Sequence, residues 1–401
     1  MTSPYRLVDL YIRNAYAESF ALVYLPVVFH GVYEIFHGNA RHWWILAAGM
    51  SGAVLVHSIT ALYCATLIAA YALTQAPRWL REPDLLRSLG LATLMSVLLT
   101  AYFTGPLLEH RLGSSYGIFD QTFAQAIGIS AEHVRDHALT PGQLFGHDIN
   151  KIPSQPMTSG SAEMPLPLGV PLVLFALVGG VVAWRLAARG FLVFCAVTAA
   201  VLLGMTLGGP VWSWLPAPYL VIQFPWRLLL FVTFFLSLVG GAVMCGLPEH
   251  RARPLYTGML VLIPCAYAWL FIQPDYRDFL DDSRIPPIED VRKDTSSIGT
   301  SLGEYLPVAS LEYLPYVRAR GSEPMVMSGA AHLSGFQRVG TRAKLNVKLG
   351  SSSALIELPF IHYLGYQATL RDPAGSTQTM NVSEGLNGFS APPPIACSAC
   401  I

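Results

Sequence analysis

The sequence predicts an α-helical polytopic membrane protein of about eight spans, with a small C-terminal β domain outside the cytoplasm. Three observations predict this class. Charged residues make up 12% of the 401-residue chain, against about 25% in soluble domains. Apolar runs approaching the roughly 20 residues that cross a hydrocarbon core recur up to residue 273. Beyond that point they cease, and period-two alternation takes over.

The net charge is zero and no Lys/Arg block stands out. Nucleic acid is therefore not expected as a partner, whereas membrane lipids are. Cys64, Cys195, Cys245 and Cys265 lie in apolar runs, where thiols behave as small hydrophobes and imply no disulfide framework. Cys397 and Cys400 form one C-x-x-C at the tail, only half of a tetrahedral zinc site; no cofactor is expected. Residues 1–19 contain Asp9, Arg13 and Glu18, a pattern unlike a cleavable signal.

Taken in order, candidate spans cover residues 16–36, 43–74, 85–103, 167–184, 191–207, 228–245 and 256–272. The second is too long for one crossing, since at 1.5 Å per residue it would reach about 48 Å against a core of about 30 Å. One tilted helix, or two short helices turning near His57-Ser58, would fit it. The turn is favoured because it keeps His57, Ser58 and Thr60 out of the bilayer centre.

Loop charge then sets orientation. Arg78, Arg81 and Arg87 share one loop, Arg185 and Arg189 another, and Arg251 and Arg253 a third; basic short loops mark the cytoplasmic side. The opposite face carries the N-terminus, the His57 turn, a loop over 104–166, the segment 208–227 and everything after residue 273. The expected organisation is a transmembrane helical domain over 1–273, an extracytoplasmic linker over 274–330 and a β-rich domain over 331–401.

Within the long loop, Ser130 is a candidate N-cap for a short helix that Pro141-Gly142 would stop. His133, Asp136 and His137 share one face of it at i, i+3 and i+4. That spacing suits a metal, although a solvated amphipathic helix explains it equally and the Glu base of H-E-x-x-H chemistry is out of register. In the C-terminal part, Glu304-Tyr305-Leu306-Pro307 is echoed by Glu312-Tyr313-Leu314-Pro315, too few copies for a repeat architecture. Alternating stretches containing Leu345 and Val347, then Leu355 to Leu358, then Tyr366 to Leu370 read as strands, with 350–353 and 372–375 as turns.

The residues with most chemical content stand at apolar-helix boundaries. Gln223-Phe224-Pro225-Trp226-Arg227 sets an amide and a guanidinium beside two aromatics, ahead of a run free of charge to Cys245. Pro225 presets the first turn and leaves Trp226 at interfacial depth. Arg227 is either an anchor or a bidentate contact for a lipid phosphate. Asp9 and Arg13, and likewise Asn14 and Glu18, are i, i+4 pairs. Glu18 enters an apolar helix, where an acid faces either a protein cavity or, snorkelling, the headgroups. In a cavity it is a candidate general base for an acceptor hydroxyl. Arg227 and Gln223 are expected to face an outer cavity together with the Asp9-Arg13 segment.

These motifs resemble the polytopic proteins described as "6-pyruvoyl-tetrahydropterin synthase-related domain, membrane protein", a label that implies no pterin chemistry. The family is close to the bacterial YfhO-like group and to lipid-dependent glycosyltransferases of the GT-C fold. The resemblance rests on Pro4-Tyr5-Arg6-Leu7-Val8-Asp9-Leu10-Tyr11-Ile12-Arg13, Ala17-Glu18, His57-Ser58, and Leu139-Thr140-Pro141-Gly142-Gln143-Leu144-Phe145. It continues through Gln223 to Arg227, Glu304 to Pro307 and Gly365-Tyr366-Gln367.

The resemblance implies transfer of a sugar from a polyprenyl-phosphate donor on the outer face of a bacterial plasma membrane. Asp9 and Glu18 are then the catalytic candidates, and Arg227, Gln223, Trp226, Arg13 and His57 the contacts for lipid phosphate or substrate. It also implies a membrane helix and an acidic outer loop before Met1, so the chain is expected to be a fragment lacking the N-terminal part and inactive in isolation. A non-catalytic envelope-assembly protein is the alternative. A transporter ranks last, because matched Gly/Pro-broken helices and a buried charge chain are not evident.

Overall fold

The computed structural model describes residues 4–7, 9–10, 15–112, 116, 124–125, 128–145, 166–186, 188–247, 252–269, 306–340, 342–363, 365–385, 389–393 and 395–396. Contacts divide the chain into one unit of Met1–Leu107 with Gly128–Asp281 and a second of Leu108–Ile127 with Asp282–Ile401.

The first unit is helical. Short single turns aside, it contains α1 (Tyr16–His37), α2 (Trp43–Val56), α3 (Ser58–Thr74), α4 (Pro83–Leu112, whose last residues group with the second unit), α5 (Ala131–Asp136), α6 (Pro141–Phe145), α7 (Val170–Ala183), α8 (Arg189–Thr206), α9 (Leu229–Gly241) and α10 (Ala252–Trp269). Among the described residues, four stretches are long and apolar enough to cross a membrane: Tyr16–His37, Pro83–Leu112, Arg189–Thr206 and Pro225–Cys245. Ser58–Thr74 and Val170–Ala183 are apolar but shorter. Along α4, Leu94, Val97, Leu98, Leu99 and Tyr102 are all exposed, an apolar surface that water would penalise and hydrocarbon would not.

Small residues set the helix crossings. A Cβ on Gly31 would lie 2.5 Å from the Leu46 backbone nitrogen, and one on Gly49 would lie 2.9 Å from that of Val28, so α1 and α2 touch almost backbone to backbone. The α7–α9 crossing is equally close: a Cβ on Gly179 would run into the Val239 carbonyl oxygen. Such approach is how helices gain van der Waals contact where lipid removes the hydrophobic incentive. Rings fill the space between α1 and α9, with Phe29 edge-on to Phe235 at 4.9 Å.

The 43–74 run breaks at His57, an extended residue (φ −154°, ψ 98°) between α2 and α3. Three boundaries differ from expectation. Helix α4 continues past residue 104 to Leu112; Leu107 and Leu108 prolong the apolar run, and His110 and Arg111 suit a helix C-terminus. Pro141 does not merely stop α5 but opens α6, its fixed φ fitting a first helical turn. Strand β1 begins at Met325, inside the stretch expected to be linker.

In the second unit, two short helices, α11 (Val308–Glu312) and α12 (Leu314–Ala319), precede a small β region. Strands β1 (Met325–Val339) and β2 (Arg342–Glu357) form a long antiparallel pair, with Met325 opposite Glu357 and Val339 opposite Arg342. Gly340, at φ 58°, supplies the left-handed backbone of the tip. The segment 350–353 is strand and not a turn. Ser351 Oγ accepts the Ala330 N–H at 2.8 Å and donates to the Ser353 carbonyl at 2.6 Å, carrying the ladder across a register shift. A second pair, β3 (Gln367–Arg371) with β4 (Thr377–Asn381), closes through the Asp372–Gly375 turn. Two-residue strands complete the region: Ser383–Glu384 pairs with Ser390–Ala391, and Ile395–Ala396 pairs with β2.

Candidate functional site

Two apolar helices begin with opposite charges, and the fold brings those charges together. Glu18 stands in the first turn of α1, while Arg227 lies in the 3-10 turn Pro225–Leu228 that leads into α9. Arg227 Nε is 3.4 Å from Glu18 Oε2, with the side chains 19% and 4% exposed. That distance is an ion-pair contact, too long for a well-aligned hydrogen bond. Tyr5 donates its hydroxyl to Glu18 Oε1 at 3.0 Å, and Arg227 Nη1 donates to the Ile222 carbonyl at 3.1 Å.

Asp9 is buried nearby in the chain and accepts the Ser19 hydroxyl at 2.7 Å. Its backbone carbonyl accepts the Ala15 N–H at 3.0 Å, immediately before α1. Arg13 and Asn14, the expected i, i+4 partners of Asp9 and Glu18, lie outside the described residues. Glu18 does not snorkel: with Tyr5 and Arg227 as partners, its carboxylate is buried in protein. Tyr5 is itself fixed where its N–H donates to the Pro167 carbonyl at 3.1 Å, one residue before the Leu168 N–H bonds the Leu144 carbonyl.

The remainder of the Gln-Phe-Pro-Trp-Arg segment is shaped by backbone and rings. Gln223 adopts φ 56°, the sole positive φ outside glycine among the described residues. Pro225 sits in the first turn as its φ favours. Trp226 packs inside the protein. It is buried, stacked on Phe224 at 4.4 Å and 19°, and approached by the His137 ring at 6.2 Å. The Phe224 ring also meets the Arg227 guanidinium at 5.4 Å, a cation–π contact.

The His133, Asp136 and His137 set does not form a metal site. The described residues contain no group of three His, Cys, Asp or Glu side chains placed to hold an ion. The two imidazoles face each other at 4.1 Å, and His137 Nδ1–H donates to the His133 carbonyl of its own helix at 2.8 Å. Burial, then the neighbouring His137, pushes the His133 pKa below the usual imidazole value. Ser130 caps this helix as expected, accepting the His133 N–H at 3.1 Å. Its far end is tied down where the Leu139 N–H donates to the Thr206 carbonyl at 2.8 Å.

His57 acts on its own helix. Its Nδ1 accepts the Thr60 N–H at 3.3 Å and faces the Thr60 hydroxyl at 2.7 Å, capping α3. Cys64 and Cys195 are buried free thiols, whereas Cys397 and Cys400 lie outside the described residues. Sequence reasoning missed Tyr5 and Ser19, which serve the two acids; no spacing signalled either.

What the fold and this site define is a mainly helical protein with, among the described residues, four stretches long and apolar enough to cross a membrane, a buried acid–arginine contact between two of them, and a small C-terminal β region. No family model, curated protein or solved structure matches the chain.

Proposed function

We propose that the chain is a multi-pass protein of a bacterial plasma membrane, with eight crossings and its β region outside, that handles a polyprenyl-phosphate-linked sugar as GT-C glycosyltransferases do. The observation that supports this reading is the contact of the buried Glu18 carboxylate with Arg227, each at the start of a membrane-length stretch. Such charges are costly at membrane depth and usually mark function.

In the proposed reaction the donor phosphate engages the Arg227 guanidinium and draws it from Glu18. The freed carboxylate takes the proton of the acceptor hydroxyl. The acceptor oxygen bonds the anomeric carbon as the bond to the phosphate oxygen breaks. The lipid phosphate departs with the electron pair, its charge held by Arg227.

One observation favours a second reading. Both Glu18 oxygens are engaged, by Tyr5 and by Arg227, as in a purely structural pair. The chain would then be a non-catalytic envelope-assembly scaffold. Binding of a polyprenyl-phosphate sugar to the membrane-inserted protein separates the two. Under the first reading it falls for Arg227→Lys, which keeps charge but loses the fork, and falls further for Arg227→Gln, with insertion unchanged. Equal binding by both variants and the parent overturns that reading.

A further inference from the structure

A cavity of ≈510 Å³ lies within the second unit, lined by both of its larger strand pairs, β1–β2 and β3–β4. Its volume falls within the roughly 300–1,000 Å³ usual for ligand sites and far exceeds the water-sized voids of a packed interior. Period-two alternation supplies the lining. Leu345 and Val347 are half-buried between exposed Lys344, Asn346 and Lys348, and Leu370 is half-buried between exposed Thr369 and Arg371. Phe336, Ile356 and Met380 extend the same apolar wall. The Gly365-Tyr366-Gln367 segment, which the proposed reaction does not use, lines the cavity as well.

One charge stands in this apolar wall. Among the described residues Arg338 is the only charged side chain of the lining, and no acid there opposes it. Its guanidinium lies 4.8 Å from the centre of the Phe360 ring, and its Nε donates to the Gly340 carbonyl at 3.3 Å. A long side chain that would otherwise sample many rotamers is thereby held beside the cavity. Arg338 makes no other hydrogen bond or ion pair among the described residues, so both Nη groups keep their donors.

We infer that this cavity binds a small apolar monocarboxylate, with its aliphatic or aryl body inside and its carboxylate on the Nη groups of Arg338. A planar carboxylate matches the guanidinium fork, and its single charge matches the single cation. A phosphate monoester brings up to two negative charges, of which the lining can answer only one. A sugar would set its hydroxyls against Leu345, Val347 and Ile356, which cannot pair them. No residue of the Glu18–Arg227 contact takes part, and the site stands whether or not the protein transfers sugars.

The test uses the purified full chain in lipid nanodiscs and 4-benzoylbenzoate, a soluble photoreactive aryl carboxylate. Light should attach it to Leu370 or Met380. Arg338→Gln, a change at an exposed position, should weaken labelling about tenfold, the scale of a hydrogen bond to a charged group. Arg338→Lys should restore only part of the loss, because it keeps the charge and loses the fork. Ala368→Trp puts an indole into the cavity and should abolish labelling while the thermal midpoint stays near that of the parent. Octanoate should displace the probe, glucose should not, and the neutral 4-benzoylbenzamide should label weakly. Labelling that neither Arg338→Gln nor Ala368→Trp changes, or equal labelling by the amide, overturns the site. Displacement by octyl phosphate at lower concentration than octanoate overturns the carboxylate head, and displacement by glucose overturns the apolar body. Should Ala368→Trp fail to fold, the amide comparison on the parent protein and Arg338→Gln decide without it. Because the probe carries neither sugar nor phosphate and the variants spare Arg227, failure here leaves the glycosyl-transfer reading intact.

Discussion

Glu18 and Arg227 belong to the first turn of one membrane-length helix and the approach to another, and their charged ends meet 3.4 Å apart. A carboxylate this buried loses hydration that only a cation and donors can replace. Removing one member strands the other. Glu18→Gln or Arg227→Gln should each cost about 3 kcal/mol, whereas the double variant should cost less than their sum. Thermal unfolding in detergent over the four-member cycle checks this, and strict additivity would dissolve the pair.

Gln223 holds a left-handed backbone conformation at φ 56°, which disfavours most side chains by about 1–2 kcal/mol. Gln223→Val should therefore lower stability by more than Gln223→Asn, because β-branching aggravates the strain and Asn tolerates it. Thermal midpoints of the two variants in one detergent decide; equal midpoints would argue that the segment relaxes.

Glycine positions should divide into two groups. Gly31→Leu and Gly179→Leu place side chains against a neighbouring helix backbone and should cost roughly 3 kcal/mol or more, or prevent assembly. Gly90→Leu and Gly190→Leu meet nothing within 4 Å and should leave the yield of folded protein unchanged. Size-exclusion profiles of the four variants are the readout.

His133 carries a pH dependence with a definite sign. Burial and the adjacent His137 hold its pKa below the ordinary imidazole value, so the unfolded chain binds the proton first. The neutral ring's contribution is complete above about pH 6.5 and is lost as pH falls from there toward the folded-state value. Hydrogen exchange in Ala131–Asp136 should quicken between pH 7.5 and pH 5, in each case relative to the intrinsic rate. His133→Phe should remove most of that change. A pH-independent protection would show that the ring is not held neutral.

Orientation is tested by fusions. A reporter active only in the cytoplasm should give signal after Ala252 and none after Ser351; the reverse would overturn the arginine-based topology. With the native cysteines removed, a cysteine at Ser58 should react with an impermeant thiol reagent from outside. Protection before and after permeabilisation would place the His57 break within the membrane.

Much of the helical unit was legible because apolar runs advertise themselves: α1, α7, α8 and α10 begin and end within a few residues of their hydropathy limits. The end of α4 was hidden by Pro106 and the polar Glu109, His110 and Arg111, which resemble a loop until the continuing Leu107-Leu108 face is weighed. Strand β1 escaped because Ser328, Gly329, Ala330 and Ala331 carry little strand propensity; its pairing with β2 supplies what propensity does not. Polar spacing marked out Glu18 and Arg227, but not their contact, which depends on where α9 packs. The burial of Trp226 was hidden for a related reason: its stack on Phe224 and the approach of His137 form only in the fold.

The two glycine crossings also imply an order of birth. Gly31 meets Leu46, a partner from the next helix, whereas Gly179 waits for Val239. At roughly 5–20 residues per second, the first partner emerges about 1–3 s after its glycine and the second only after about 3–12 s. The α1–α2 hairpin can thus close while most of the chain is still unmade, and the Gly179 face of α7 lacks its close partner until α9 is made.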